Sequence, residues 1–363
     1  MKFDVTDYQF SDLATFSYGK MPKKSKIKAN GKYPIYSGYR YVGYYDEYNI
    51  EPRQLIVVAR GVGGTGDVKI TTEKCYLTNL SIAVKITETE KVLPEYLYYL
   101  FKLNNLRYLD SGSAQSQITI NDLGKVHIDL PSINWQKKIV NLLLTIDDKI
   151  ATNTAINKNL EDMLQAVYQN MFSSEPQNML AEICSYSKDR VPVSELTVDD
   201  YYSTENMLPQ KAGATTATNL PATSQVIKCH VGDVLVSNIR PYFKKILYCY
   251  RDCGCSNDVL CFTPKSKNMT AFLYATLYAD RFFDFMALGA KGTKMPRGDK
   301  QQIMTHPIVL PSEKELDSFN SIAFPLMQNI YNNTSENARL SSLRDTILPR
   351  LMSGEIDVSN VEV

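Results

Sequence analysis

The chain has 363 residues, 44% of them hydrophobic and 22% charged, with a net charge of +1. That length allows two domains with cores of their own, and the composition is ordinary for a soluble globular protein. No apolar run approaches the ~20 residues of a membrane span and "MKFDVTDYQF" lacks the apolar core of a secretory signal, so a cytoplasmic location is expected.

The region 1–131 alternates apolar and polar residues with Gly and Pro punctuation, the pattern of a β-rich domain. Between Leu13 and Tyr45 stand seven cations, Lys20, Lys23, Lys24, Lys26, Lys28, Lys32 and Arg40, and no acidic residue. Tyrosines interleave with them, a mixture suited to phosphates, sugars and bases. Next comes "LIVVARGVGGTGDVKI", an apolar run feeding Gly61-x-Gly63-x-x-Gly66. A dinucleotide fingerprint of that spacing must open a helix within a βαβ unit. Here "DVKITTEKCYLTNLSIAV" follows with strand-like alternation, which argues against a nucleotide-dependent oxidoreductase.

From Leu130 the chain reads "LPSINWQKKIVNLLLTIDDKIATNTAINKNLEDMLQAVYQNMF", and from Leu310 "LPSEKELDSFNSIAFPLMQNIYNNTSENARLSSLRDTILPRLM". Without gaps Leu130 falls on Leu310, Ile150 on Ile330, Asn153 on Asn333, Asn157 on Asn337 and Leu160 on Leu340, an offset of 180 residues. Both stretches keep a 3-4 apolar spacing, the seam of a coiled coil, and both seams turn to asparagine at the same two places. Antiparallel pairing about residues 155 and 335 sets Asn153 against Asn337, Asn157 against Asn333, Ile150 against Leu340 and Leu160 against Ile330. Such a polar layer would fix register at some cost in stability. Pro325 predicts a break in the second helix, and Thr145-x-x-Asp148 a helix start at the matching place in the first. Each copy then holds a short helix from about residue 133 or its counterpart and a long one of roughly 26 residues, on the order of 40 Å. Arg344 interrupts the second seam, and Pro349 predicts a bend in its last turn.

The region 174–311 has no overall match to the first, yet local echoes persist. "LIVVAR" matches "VLVSNIR", "EKCYLTNLSIAV" matches "RDCGCSNDVLCF", and "GSAQSQITINDLGKVHIDLP" matches "GTKMPRGDKQQIMTHPIVLP". One framework carries two sets of loops. Cys253-Gly-Cys255, with Cys249 and Cys261 near, invites a zinc reading, but the spacing is wrong and none of His127, His230 and His306 stands at ligand distance in sequence. Free thiols are expected, and with three histidines a His-based triad is disfavoured.

The order of variable region, helix opening with Leu-Pro, second variable region and similar helix resembles the specificity subunit of type I restriction–modification enzymes. The terminal "ILPRLMSGEI" and the stretches "GKYPIYSGYRYVGYYDEY" and "GDVLVSNIRPYFKKI" are similar to that family too. The resemblance implies an α+β chain with two mixed α/β target-recognition domains joined by two long antiparallel coiled-coil helices, in a pseudo-two-fold duplication. The domains would span 1–131 and 174–311, the helical spacers 132–173 and 312–353, and a tail 354–363. It further implies that each domain reads one half of a bipartite site in double-stranded DNA. The helices would set the spacing and dock two methyltransferase (modification) subunits, with restriction motor/nuclease subunits joining them. The chain itself would be non-catalytic and bind no cofactor or metal; S-adenosylmethionine, ATP and Mg belong on the partners.

Base edges carry sequence, while phosphates position the protein. In the first domain the candidates are Lys23 and Lys24, the turn Ser37-Gly38-Tyr39, Arg60 with Gly61, and the loop residues Ser113, Gln115, Gln117 and Thr119. In the second they are Asn238, Arg240, Tyr242 and Lys244, then Lys291, Thr293, Lys294 and Arg297. Two rival readings stand beside this one. A self-sufficient recognition-domain DNA methyltransferase would need an Asn/Asp-Pro-Pro-Tyr/Phe motif, and the chain has no Pro-Pro. A coiled-coil scaffold would lack salt-sensitive DNA binding.

Overall fold

The computed structural model describes residues 3–38, 40–61, 64–110 and 117–361. The chain divides into two compact units, Met1–Ala151 with Asn337–Val363, and Thr152–Glu336. Each mixes helices with antiparallel-rich sheets, so the class is α+β.

In the first unit four strands, β1 (Ala14–Tyr18), β2 (Leu55–Val58), β3 (Val68–Ile70) and β4 (Ser81–Ile86), form a sheet in the order β1-β4-β2-β3. Every neighbouring pair is antiparallel, with Val57 opposite both Ile82 and Val68. All four residues of β2 are buried, as suits an unbroken apolar run at the middle of a sheet. The helix Pro94–Leu103, with proline in its first turn, supplies Tyr96, Leu97, Tyr99 and Phe101 to the core beneath. Strand Val5–Gln9 pairs with His127–Pro131, and a hairpin Tyr33–Ser37/Arg40–Tyr45 takes Tyr76–Leu77 as a parallel third strand. The residues after 353 are more than a tail: Val358 is buried in the first core, and Lys138 Nζ donates to the Ser359 carbonyl.

The second unit repeats the framework. Strands β5 (Cys184–Tyr186), β6 (Val234–Ser237), β7 (Ile246–Tyr248) and β8 (Val259–Pro264) form an antiparallel sheet in the order β5-β8-β6-β7. That is the order of the first sheet, strand for strand, and β6 is again wholly buried. Asn178–Met179 pairs with Pro307–Ile308 where the first unit pairs Val5–Gln9 with His127–Pro131. All seven cysteines are free and buried. Five of them, Cys229, Cys249, Cys253, Cys255 and Cys261, pack with Met207, Leu235 and Val259 as small apolar side chains. Among the described residues no group of three His, Cys, Asp or Glu side chains could hold a metal, and no helix is long and apolar enough to cross a membrane.

Two long helices, α1 (Ile133–Met171) and α2 (Glu313–Met352), each give one part to each unit. Neither breaks where the sequence predicts. Thr145 Oγ1 donates back to the Asn141 carbonyl at 2.8 Å, a bond within a helix rather than a cap. Pro325 is exposed and so is Ser321, the residue whose carbonyl the missing N–H would have met, so water can take that carbonyl. Phe319, Ala323 and Met327 on the other face are buried in the second core and hold the helix through the proline. Pro349 is likewise exposed and the helix continues to Met352, with Leu348 and Leu351 anchored in the first core.

Within each unit the two helices run antiparallel. In the second unit Asn333 Nδ2 donates to Asn157 Oδ1 at 2.8 Å, Asn157 Nδ2 to Thr334 Oγ1 at 3.1 Å and to the Ile330 carbonyl at 3.3 Å, and Asn153 Nδ2 to Glu336 Oε2 at 2.7 Å. Asn153 is 1% exposed and Ile330 9%, while Leu160 is half-buried. In the first unit Asn337 Nδ2 donates to the Ile150 carbonyl at 3.4 Å, and Ile150 and Leu340 are half-buried. Arg344, the seam interruption, lies 2.7 Å from Asp147.

Candidate nucleic-acid interface

In the first unit the chain leaves β2 at Val58 and is caught on both sides. Ala59 and Arg60 N–H groups both donate to the Leu80 carbonyl, at 2.9 and 3.2 Å, and the Ile118 N–H donates to the Ala59 carbonyl at 2.8 Å. Arg60 therefore bridges to Gln117, whose own N–H reaches Asp110 Oδ1 at 3.1 Å. Gly38 completes the cluster: it turns with φ +60°, and a β-carbon there would come 3.7 Å from the Arg60 carbonyl oxygen. Ser37 is tied in by Thr78, whose hydroxyl lies 3.2 Å from Ser37 Oγ. Three segments distant in sequence, at 37–38, 60–61 and 117, thus meet at one place.

Other candidates are placed differently. Tyr39, Gly63, Ser113 and Gln115 lie outside the described residues. Thr119 is the N-cap of a short helix, Ile120–Gly124; its hydroxyl accepts from the Asp122 N–H at 3.1 Å and so is committed to the fold. Of the glycine loop, Gly61 is exposed. Gly64, Thr65 and Gly66 are buried, and Gly66, with φ +89°, approaches the Arg107 backbone so closely that a β-carbon would lie 2.5 Å from its nitrogen. Lys23 and Lys24 stand on an exposed single turn, whereas Lys28, two positions past Lys26, is neutralised by Asp46 at 2.8 Å. Of the nearby tyrosines Tyr41 is exposed, while Tyr45 is buried against Tyr76.

The second unit builds a similar junction, with its register shifted by one residue and with other side chains. The Asn238 N–H donates to the Asp258 carbonyl at 2.8 Å, and the Asn238 carbonyl accepts from Gly298 at 3.1 Å. The Arg240 N–H reaches the Pro296 carbonyl at 2.8 Å, and Ile239 bridges to Arg297. Lys291 and Arg297 exchange both backbone hydrogen bonds at 2.9 Å, closing a loop that exposes Thr293 and Lys294. The short helix that follows, Lys300–Met304, is capped by Asp299, 180 residues from Thr119. Arg240 and Gln117's counterpart Arg297 likewise stand 180 residues from Arg60 and Gln117.

Charge here is largely paired. Asp280 takes Lys211 at 2.6 Å and Lys244 at 3.1 Å, and these ammonium groups hold its carboxyl below the usual range. Asp299 takes Lys291 at 2.7 Å, which with the backbone N–H groups of Gln302 and Gln301 lowers its pKa. Arg297 reaches both oxygens of Asp258, at 3.0 and 3.3 Å. Among the described residues Arg240 reaches none: its Nη2 donates to the Lys294 carbonyl at 3.3 Å, and its guanidinium lies 6.0 Å from the Phe243 ring. Tyr242 is exposed at 51% and meets Phe243 edge-on. The sequence alone misses Asp258, Asp280 and Lys211; only the echo of "TNLSI" in "SNDVL" points toward the first.

Two sheets of the same order, each presenting an arginine loop clamped by the segment before a short helix, define a duplicated recognition framework. Residues 3–162 match the family model described as the type I restriction modification DNA specificity domain. The type I restriction enzyme MjaIX specificity subunit of Methanocaldococcus jannaschii is 23% identical over 344 residues, spanning 76% of this chain and 72% of that one. The EcoDI specificity subunit of Escherichia coli is 21% identical over 402 residues, spanning 95% and 89%. The type I restriction–modification S subunit from M. genitalium shares the fold, with a TM-score of 0.63, 18% identity and 96% of each chain covered. These comparisons liken the chain, over most of its length, to specificity subunits of type I restriction–modification enzymes.

Proposed function

We propose that this chain is the sequence-reading, non-catalytic subunit of a type I restriction–modification complex in the cytoplasm. Each recognition domain, 1–131 and 174–311, reads one half of a bipartite site in double-stranded DNA. The helical stretches 132–173 and 312–353 set the spacing and dock two methyltransferase subunits, which carry S-adenosylmethionine; motor/nuclease subunits bring ATP and Mg chemistry. The observation that carries this reading is the similar junction in each unit: Arg60 bridges to Gln117 beside Ser37 and Gly38 in one, and Ile239, next to Arg240, bridges to Arg297 in the other. A shared scaffold with unlike side chains is what reading two unlike half-sites requires, since base edges differ in donors and acceptors. Lys23, Lys24 and Lys294, exposed, serve the sequence-independent phosphate contacts.

Mapping methylated bases in genomic DNA from cells with and without the chain tests this. A two-part methylated motif that vanishes with the chain is expected; a motif that persists without it would overturn the reading.

A further inference from the structure

We propose that Arg60 and Arg240 are the matched base-reading side chains of the two units, each taking the edge of a guanine, and that the other cations of the second junction only position it. The inference rests on the DNA-reading function proposed above and assigns roles within it.

Both arginines are half-buried and closely follow a wholly buried strand, Arg60 two residues past its own and Arg240 three past its own. Each is clamped through its backbone neighbourhood to the segment that precedes the short helix. What separates Arg240 from Lys244, Lys291 and Arg297 is that no carboxylate among the described residues pairs with it. A guanidinium already forked onto Asp258, as Arg297 is, would have to give up an ion pair to reach a base. Arg240 would give up one carbonyl contact at 3.3 Å. Among the described residues its buried Nε has no hydrogen-bond partner, and neither has Oδ1 of Asn238, two residues earlier and 6% exposed. Buried polar atoms without partners are uncommon in native folds and call for an explanation.

The backbone adds a second sign. Arg240 holds φ +51° and ψ 67°, a left-handed conformation disfavoured for a residue with a β-carbon and more so before a proline such as Pro241. Strain of that kind persists where the surroundings over-determine it and tends to mark functional sites. In the first unit no carboxylate pairs with Arg60 among the described residues, and Gly61 beside it is exposed. A two-pronged contact from arginine to guanine O6 and N7 is the commonest specific base contact, so the guanine follows from the side chain.

The test is methylation mapping in cells carrying the full chain or its Arg60→Gln, Arg240→Gln, Arg240→Lys or Arg297→Gln variant, with thermal unfolding of each purified chain. The expected motif has a G·C pair in each half. Arg60→Gln relaxes one such position in one half-site, and Arg240→Gln one in the other, each by roughly ten- to hundredfold in discrimination. Arg240→Lys keeps the charge but not the fork, relaxes the same position, and decides the matter if the glutamine variant fails to fold. Arg297→Gln lowers methylation of the motif as a whole without relaxing any one position. Retained discrimination in folded Arg60 and Arg240 variants, loss in both halves from one variant, or a half-site without G·C would overturn the assignment. A wild-type chain that yields no bipartite motif would instead overturn the function beneath it.

Discussion

Arg344 Nη1 lies 2.7 Å from Asp147 Oδ1, and Tyr99 donates to the other oxygen of the same carboxylate at 2.6 Å. This explains a charge in a helical seam whose copy, 180 residues earlier, holds the buried Leu164. Both charged side chains are under a third exposed. Arg344→Leu leaves Asp147 short of its cation and is expected to cost about 1–2 kcal/mol, less than a fully buried pair would. Asp147→Asn in the same chain should recover part of that loss; chemical denaturation of the four chains of the cycle measures it.

The amides of Asn157 and Asn333, 2.8 Å apart, carry a second prediction. Asn333→Leu removes one bond of a partly buried network and should destabilise by about 1 kcal/mol. Leucine at both positions should be at least as stable as the parent, because a polar layer favours register over stability. Equal losses that simply add would show that the two amides do not act together.

Acid sensitivity is expected from His306, 2% exposed, flanked edge-on by Phe282 and Phe285, with neither ring nitrogen hydrogen-bonded. Burial, with Arg281 adding to it, pushes the imidazole down to about 4. The unfolded chain, with a histidine pKa near 6.5, therefore binds the proton first as pH falls. Stability is full above pH 6.5, declines through the window from 6.5 to 4, and loses about 2 kcal/mol by pH 5 from this group. Melting curves at pH 7 and pH 5 should show a larger drop for the parent than for His306→Leu.

Gly66 is fixed by both conformation and space, with φ +89° and a β-carbon position 2.5 Å from backbone. Gly66→Ala should cost on the order of 3 kcal/mol, since the two nearest atoms, the backbone nitrogen and Cα of Arg107, cannot swing aside. Gly61→Ala, with nothing within 4 Å, meets only the torsional part of that cost. Comparing the two melting temperatures separates crowding from torsion.

The duplication and the strand-arginine-turn-strand pattern were legible because they rest on local signals: a repeat at fixed offset, and apolar runs like Leu55–Val58. The strand after the glycines was legible too, from the alternation at Val68 and Ile70. What escaped was set by distant partners. Helix α2 passes Pro325 because Phe319, Ala323 and Met327 are buried on its other face, a tertiary effect that outweighs the local break. Lys244, Lys291 and Arg297 look like free cations in sequence, yet their carboxylates include Asp280 and Asp258, which lie 36 and 39 residues away. Thr119 reads as a loop hydroxyl until the helix it caps is seen.

We propose that the two units read separate halves of one site. Exchanging residues 174–311 for the corresponding stretch of a relative, followed by methylation mapping, tests it most directly. The expected motif changes in one half while the other half and the spacing stay fixed. A change in both halves, or in neither with methylation retained, would contradict it.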